Sequence, residues 1–274
     1  AQGWPYFTEH LVLATPDNGV ATAIYAACKA TVKVGDGKEI TLHEETNYPF
    51  EEAIAFTVST DEKVAFPFYL RIPSWTQKAE VWVNGKKVSV TPVAGKYLCI
   101  NREWANGDRV ELTLPMSLSM RTWQVNKNSV SVDYGPLTLS LKIAEKYVEK
   151  DSRETAIGDS KWQKGADPQK WPTTEIYPDS PWNYSLVLDK KEPLKNFKVI
   201  RKSWPADNYP FTVASVPLEV KAIGRPVPEW KIDETGLCGV LPEEDAVKGD
   251  KEEITLIPMG AARLRISAFP NTKE

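Results

Sequence analysis

Apolar residues recur at every second position over long parts of the chain. Val64, Phe66, Phe68, Leu70 and Ile72 form one such run, Ile54, Phe56 and Val58 a second, and Val110, Leu112 and Leu114 a third. The spacing returns at Leu137, Leu139, Leu141 and Ile143, and again at Leu264, Ile266 and Ala268. Alternation of this kind turns one strand face to a core and the other to water. Each run is about a strand long and is bounded by Gly, Pro, Asn or Asp. "VWVNGKKVSV" sets Asn84-Gly85 between two runs, which predicts a tight hairpin, and "WANGDRVELTLP" offers a second Asn-Gly turn. "VGDGK", between Val32 and Ile40, reads as a hairpin turn rather than a phosphate loop. Helix-compatible spacing is confined to the start, from Tyr6 to Ala14, ahead of the turn Pro16-Asp17-Asn18-Gly19. The pattern predicts an all-β chain of two β-sandwich domains with a short helical piece at the N-terminus.

Two blocks are expected. Residues 1–18 precede the first, 19–118 make a β-sandwich that closes at a Leu-Pro-Met stretch, and 119–253 make a second. Strands within 254–269 are candidates to complete the first block rather than the second, a choice the sequence leaves open. Residues 150–212 read as a long loop region, with Trp162, Trp171, Trp182 and Trp204 among Pro, Asp, Lys and Asn. Loops of that length are usually functional or packed across a neighbouring surface.

Charge narrows the partners. A net charge of −3 over 274 residues leaves no basic footprint for nucleic acid and no cationic cluster for an anionic membrane. No uncharged apolar stretch is long enough for a membrane-spanning helix. Cys28, Cys99 and Cys238 are far apart and lack CxxC spacing, so they read as small buried side chains rather than a zinc knuckle or disulfide frame. Only His10 and His43 are present, which leaves little for a Ser-His-Asp or Cys-His catalytic set, and His43 is expected on a solvated strand face.

Paired carboxylates matter because glycoside hydrolysis commonly uses two. Glu44-Glu45 and Glu51-Glu52 flank "TNYPF", but neighbours on a strand point to opposite faces, so both pairs read as solvated surface. No catalytic residue and no metal ligand is assigned. The ten tryptophans are the suggestive feature, since flat rings can stack on a sugar face. Trp75, Trp82 and Trp104 read as packing residues beside strands and turns. Trp171, Trp182 and Trp204, in loop-like sequence, are the candidate carbohydrate contacts.

Several segments together carry a family resemblance: "GWPYFTEHLVLATPDNGVATAIYAACKATVKVGDG", "EETNYPF", "FYLRIPSW", "VNGKKV", "INREWANGDRVELTLPM", "YGPLTLSLK", "SPWNYSLVLD" and "EITLIPMGAARLRISAFP". They resemble bacterial β-L-arabinofuranosidase-like glycoside hydrolases of the family 127 type. The resemblance implies an N-terminal (α/α)6 barrel followed by β-sandwich domains, with a zinc-bound cysteine as the proposed nucleophile of a retaining mechanism. In that family the Cys-Cys pair lies immediately before the segment matching "QGWPYF". The resemblance therefore implies that residues 1–18 are the end of an upstream barrel of the same polypeptide. Zinc, nucleophile and acid/base residue would belong to that barrel, with no cofactor in these 274 residues. Trp4, Tyr6, Phe7 and Leu11 would then form an exposed apolar patch facing it. The alternatives are a free-standing carbohydrate-binding protein and a structural or adhesion module. Localisation stays open between bacterial periplasm and cytoplasm.

Overall fold

The computed structural model describes residues 3–151, 167, 170–243 and 249–273. Among the described residues it is all-β apart from one short α-helix and a 3-10 turn. The chain divides into two compact units, Ala1–Leu118 with Tyr134–Leu137, and Ser119–Asp133 with Thr138–Glu274.

The first unit opens with α1 (Gly3–Glu9). The helix-compatible stretch ends there, because Val12–Ala14 instead forms strand β1, turned back by Pro16-Asp17-Asn18-Gly19 to pair with β2 (Val20–Thr22). Gly19 has no room for a side chain: an added Cβ would lie 2.2 Å from the Pro67 carbonyl oxygen. The remaining strands are β3 (Cys28–Val34), β4 (Lys38–Thr46), β5 (Ala53–Ser59), β6 (Val64–Arg71), β7 (Glu80–Val83), β8 (Lys86–Lys87), β9 (Tyr97–Trp104) and β10 (Arg109–Thr113). They form a four-stranded sheet, β1-β2-β6-β9, and a six-stranded sheet, β3-β4-β5-β10-β7-β8.

One apolar core joins the two sheets, and it is built from the alternating residues. Phe66, Phe68 and Leu70 come from β6, and Ile54, Phe56 and Val58 from β5. Phe56 meets Phe68 edge-to-face at 5.3 Å across the sandwich, and the Trp104 ring stacks on Phe66 at 5.6 Å. The buried Trp104 indole N–H donates to the Phe66 carbonyl at 3.0 Å, so its polar atom is satisfied in the core. Asn84 and Gly85 take φ of 50° and 74°, the left-handed pair of a tight hairpin.

The second unit is built on an eight-stranded sheet whose main path runs β11-β12-β13-β19-β18-β16-β20, with β17 also on β18. These are β11 (Leu118–Trp123), β12 (Ser129–Tyr134), β13 (Leu137–Leu141), β16 (Tyr184–Leu188), β17 (Lys198–Arg201), β18 (Leu218–Pro226), β19 (Glu252–Pro258) and β20 (Asn271–Lys273). A separate ribbon pairs β14 (Glu145–Lys150) with β15 (Thr173–Pro178). Strands β12 and β16 are buried at every position, so both of their faces are covered. Glu219 of β18 is buried and receives Lys142 and Lys202, each at 2.6 Å. Burial opposes ionisation there, but the two ammonium groups outweigh it and hold the carboxyl below its usual range.

Two expectations need correction here. The stretch 150–212 is not one long loop: β15, β16 and β17 lie in it, favoured by β-branched and aromatic runs such as "TTEIY". Trp162 lies outside the described residues. Conversely, Leu264, Ile266 and Ala268 form no regular strand. Ile266 is buried by individual bonds instead: its carbonyl accepts from the Leu141 N–H at 2.8 Å and its N–H donates to Ser140 Oγ at 3.0 Å. Phe269 follows as an isolated bridge to Val130. The open question of the last strands resolves toward the second unit, because β19 pairs β13 and β18.

Candidate functional site

Strand parity sorts the side chains of the six-stranded sheet. Val81 and Val83 point into the core, so Glu80 and Trp82 point out. On β10, Val110 and Leu112 point in, and Arg109, Glu111 and Thr113 point out. The register then lays one outward row across the sheet: Lys87 opposite Trp82, Trp82 opposite Glu111, Glu111 opposite Ala55, and Ala55 opposite Glu45. Trp82 to Glu45 is three inter-strand steps, about 14 Å.

The two alanines on β5, Ala53 and Ala55, keep the middle of this face low, and larger side chains rise on both sides. The result is a cleft of about 630 Å³. Arg109 spans it: Nε donates to Glu111 at 3.2 Å, and Nη1 lies 3.6 Å from Glu45 Oε2. Beside the cleft, Lys87 stands 5.9 Å from the Trp82 ring centroid and is bonded to Glu80 at 2.6 Å. Asn47 and Glu51 line the cleft at the turn after β4. That turn is pinned by a bond from Thr46 Oγ1 to the Ala53 carbonyl at 2.7 Å and one from the Phe50 N–H to the Asn47 carbonyl at 3.0 Å.

Glu44, beside Glu45, points the other way and is buried, which corrects its reading as solvated surface. The signal was present in the sequence, since Glu44 has the same parity as the core residues Ile40 and Leu42. The Ala26 N–H donates to Oε1 at 3.0 Å and Cys28 Sγ lies 3.9 Å from Oε2. Burial pushes the Glu44 carboxyl up to about 8, against the lowering effect of the Ala26 and Cys28 bonds, so it holds its proton at neutral pH. Burial together with the adjacent Glu44 pushes the Cys28 thiol up to about 11. Tyr25 packs here, its O–H donating to the Arg71 carbonyl at 2.6 Å, and burial raises its pKa. The second carboxylate pair divides too: Glu51 is exposed, whereas Glu52 accepts from the Met116 N–H at 3.0 Å.

The Glu44–Cys28 cluster does not fit a zinc site, which the family resemblance would put in the upstream barrel. A cysteine binds a metal as its thiolate, and the Cys28 thiol is held protonated beside a carboxyl that is itself protonated. Among the described residues no three His, Cys, Asp or Glu side chains come together as a ligand set. The three cysteines are free, but only partly as expected: Cys28 and Cys99 are half-buried and Cys238 is exposed.

The aromatic candidates fall in separate places. Trp104 and Trp75 pack on the first core, the former completely and the latter in part, but Trp82 stands outside it, contrary to its reading as a packing residue. Trp4, Tyr6 and Phe7 are exposed on α1, and no residue of that helix is buried. Leu11 departs from the expected patch: it is buried, and its carbonyl accepts the Ala23 N–H at 3.0 Å, so it ties the segment after the helix to the sandwich. In the second unit, Trp171 is 69% exposed. Trp204 is half-buried, its indole N–H bonded to Asn208 at 2.7 Å. Trp182 meets Trp230 edge-to-face at 5.2 Å and lines a cavity of about 310 Å³ with Ile176, Leu237 and Ile266. Among the described residues no helix is long and apolar enough to cross a membrane.

Residues 19–116 match the family model described as "Beta-L-arabinofuranosidase, GH127 middle domain". Among solved structures the fold matches Ara127N, a GH127 β-L-arabinofuranosidase from Geobacillus stearothermophilus T6, with TM-score 0.61 and 21% identity over 97% of this chain and 35% of that one. It also matches BT3674, a GH127 β-arabinofuranosidase, with TM-score 0.59 and 22% identity over 94% of this chain and 36% of that one. No curated protein matches. At these identities the structural likeness shows the fold, and the chain spans about a third of the solved structures it matches. The chain resembles the β-sandwich portion of a family 127 glycoside hydrolase, with a GH127 middle-domain match in its first unit.

Proposed function

We propose that this chain is the non-catalytic β portion of a β-L-arabinofuranosidase-like hydrolase, and that it supports an (α/α)6 barrel acting on plant-type arabinose-containing glycans. The observation that carries the reading is the one-sided match: nearly all of this chain aligns with only 35% of a longer GH127 protein. Helix α1 supplies the contact. Trp4, Tyr6 and Phe7 leave a contiguous segment exposed without partners in the sandwich core, which is costly unless another surface covers it. Leu11, buried just after the helix, ties that segment to the sandwich through its bond from the Ala23 N–H.

Two assays test the proposal. Purified as 274 residues, the chain is expected to release no arabinose from a β-L-arabinofuranosyl substrate, while a longer polypeptide that adds the barrel does so. Turnover by the short chain alone would overturn the reading. An apolar dye is expected to bind the short chain and to lose that binding after Trp4→Ser with Phe7→Ser. Dye binding that survives the double substitution would remove α1 as the contact.

A further inference from the structure

The cleft on the outer face of the six-stranded sheet is not used by the supporting role proposed above. Its chemistry is specific. An aromatic ring, two carboxylates and a guanidinium lie along one short path, and the floor between them is only alanine. Trp82 keeps part of its ring exposed although an outward strand position would usually carry a polar residue, so it offers an apolar surface at the water boundary. Next to it, Arg109 presents fixed donors between the acceptors Glu111 and Glu45. A sugar hydroxyl both donates and accepts, so neighbouring hydroxyls can bond a carboxylate and the guanidinium together, while the C–H face of the ring lies on the indole.

The charge of the site selects further. Glu45, Glu51 and Glu111 outnumber Arg109, so an anionic ligand meets net repulsion. The carboxylates are not gathered as cation ligands, since Arg109 lies between two of them and no metal-ligand set exists among the described residues. A volume of about 630 Å³ in an open trough suits a short chain better than one monosaccharide.

We propose that this groove binds a neutral oligosaccharide, with Trp82 as the stacking platform and the Glu45–Arg109–Glu111 row as its hydrogen-bonding edge. None of the aromatic candidates Trp171, Trp182 and Trp204 lines this groove. It needs no barrel, so its failure and the failure of the supporting role are read in different assays.

The test is isothermal titration of the 274-residue chain with neutral arabino-, xylo- and manno-oligosaccharides and with an oligogalacturonate, at up to millimolar sugar. Saturable binding of at least one neutral oligosaccharide is expected, with little or none for the uronate. Trp82→Ala and Glu111→Gln are each expected to weaken binding at least tenfold. Ala55→Leu, which fills the floor while leaving every polar group in place, should do the same, and unchanged unfolding midpoints establish that each variant is folded. Selection of a xylo- or manno-oligosaccharide over the arabino form supports the groove and counts against the arabinose reading of the parent protein. The groove is overturned if no neutral oligosaccharide binds, if the uronate binds best, or if binding is indifferent to both Trp82→Ala and Ala55→Leu.

Discussion

The two faces of the six-stranded sheet are made from the same strands, yet they hold opposite chemistry. On the inner face Ile54, Phe56, Val110 and Leu112 are buried, and the one carboxyl among them, Glu44, keeps its proton. One residue along each strand, Glu45, Ala55, Glu111 and Trp82 make an open, charged trough. The difference teaches that position parity, not residue type, decides what a side chain does in this unit. Glu44 and Glu45 are chemically identical neighbours with opposite roles. On this account the inner face determines stability and the outer face determines recognition.

Substitutions can break that division if it is wrong. The largest effect is expected from Phe56→Ala, which removes a fully buried ring from its contacts with Phe68 and Tyr25. It should cost about 3–5 kcal/mol in chemical denaturation. A cost below about 1 kcal/mol would mean that the sandwich core is not where the stability lies.

Glu44→Gln sharpens the comparison through pH. The unfolded carboxyl titrates near 4.5 and the folded one near 8, so between these values the folded state binds more protons. Native stability therefore falls as pH rises from about 4.5, and the loss is complete above about 8. Glutamine does not titrate. The variant should match the native chain near pH 4 and exceed it by on the order of 2–4 kcal/mol at pH 8.5. Equal differences at both pH values would mean that Glu44 is not held protonated by burial.

Smaller effects belong to the outer face. Trp82→Ala should lower stability by no more than about 1 kcal/mol, because the ring lies outside the core and is already partly in water. Glu111→Gln should stay within about 0.5 kcal/mol, as an exposed ion pair contributes little. Core-sized losses in either variant would erase the distinction between the faces.

Much of the first unit was legible because β4, β5, β6, β7 and β10 each have one buried face and one face open to water, so alternation reports the fold directly. The Asn84-Gly85 and "VGDGK" hairpins were equally plain, since their glycines take positive φ. The groove was legible only in part. Trp82 has the parity opposite to Val81 and Val83, but the register that brings it beside Glu111, Ala55 and Glu45 joins residues far apart in the chain. Glu44 was misread because glutamate is rarely buried, although its parity with Leu42 pointed inward. In the second unit, β12 and β16 are covered on both faces, and there alternation carries no information. Leu264 to Ala268 shows the converse, an alternating run without a strand ladder in which the Ile266 backbone bonds Leu141 and Ser140.

The most direct test follows the ten indole N–H signals by nuclear magnetic resonance while the neutral oligosaccharide that binds in calorimetry is added, with Trp82 assigned by its disappearance in Trp82→Phe. The account predicts that the Trp82 signal moves with the sugar and that those of Trp104, Trp171, Trp182 and Trp204 stay in place. A still Trp82 signal beside a moving Trp171, Trp182 or Trp204 would contradict it and put recognition in the second unit.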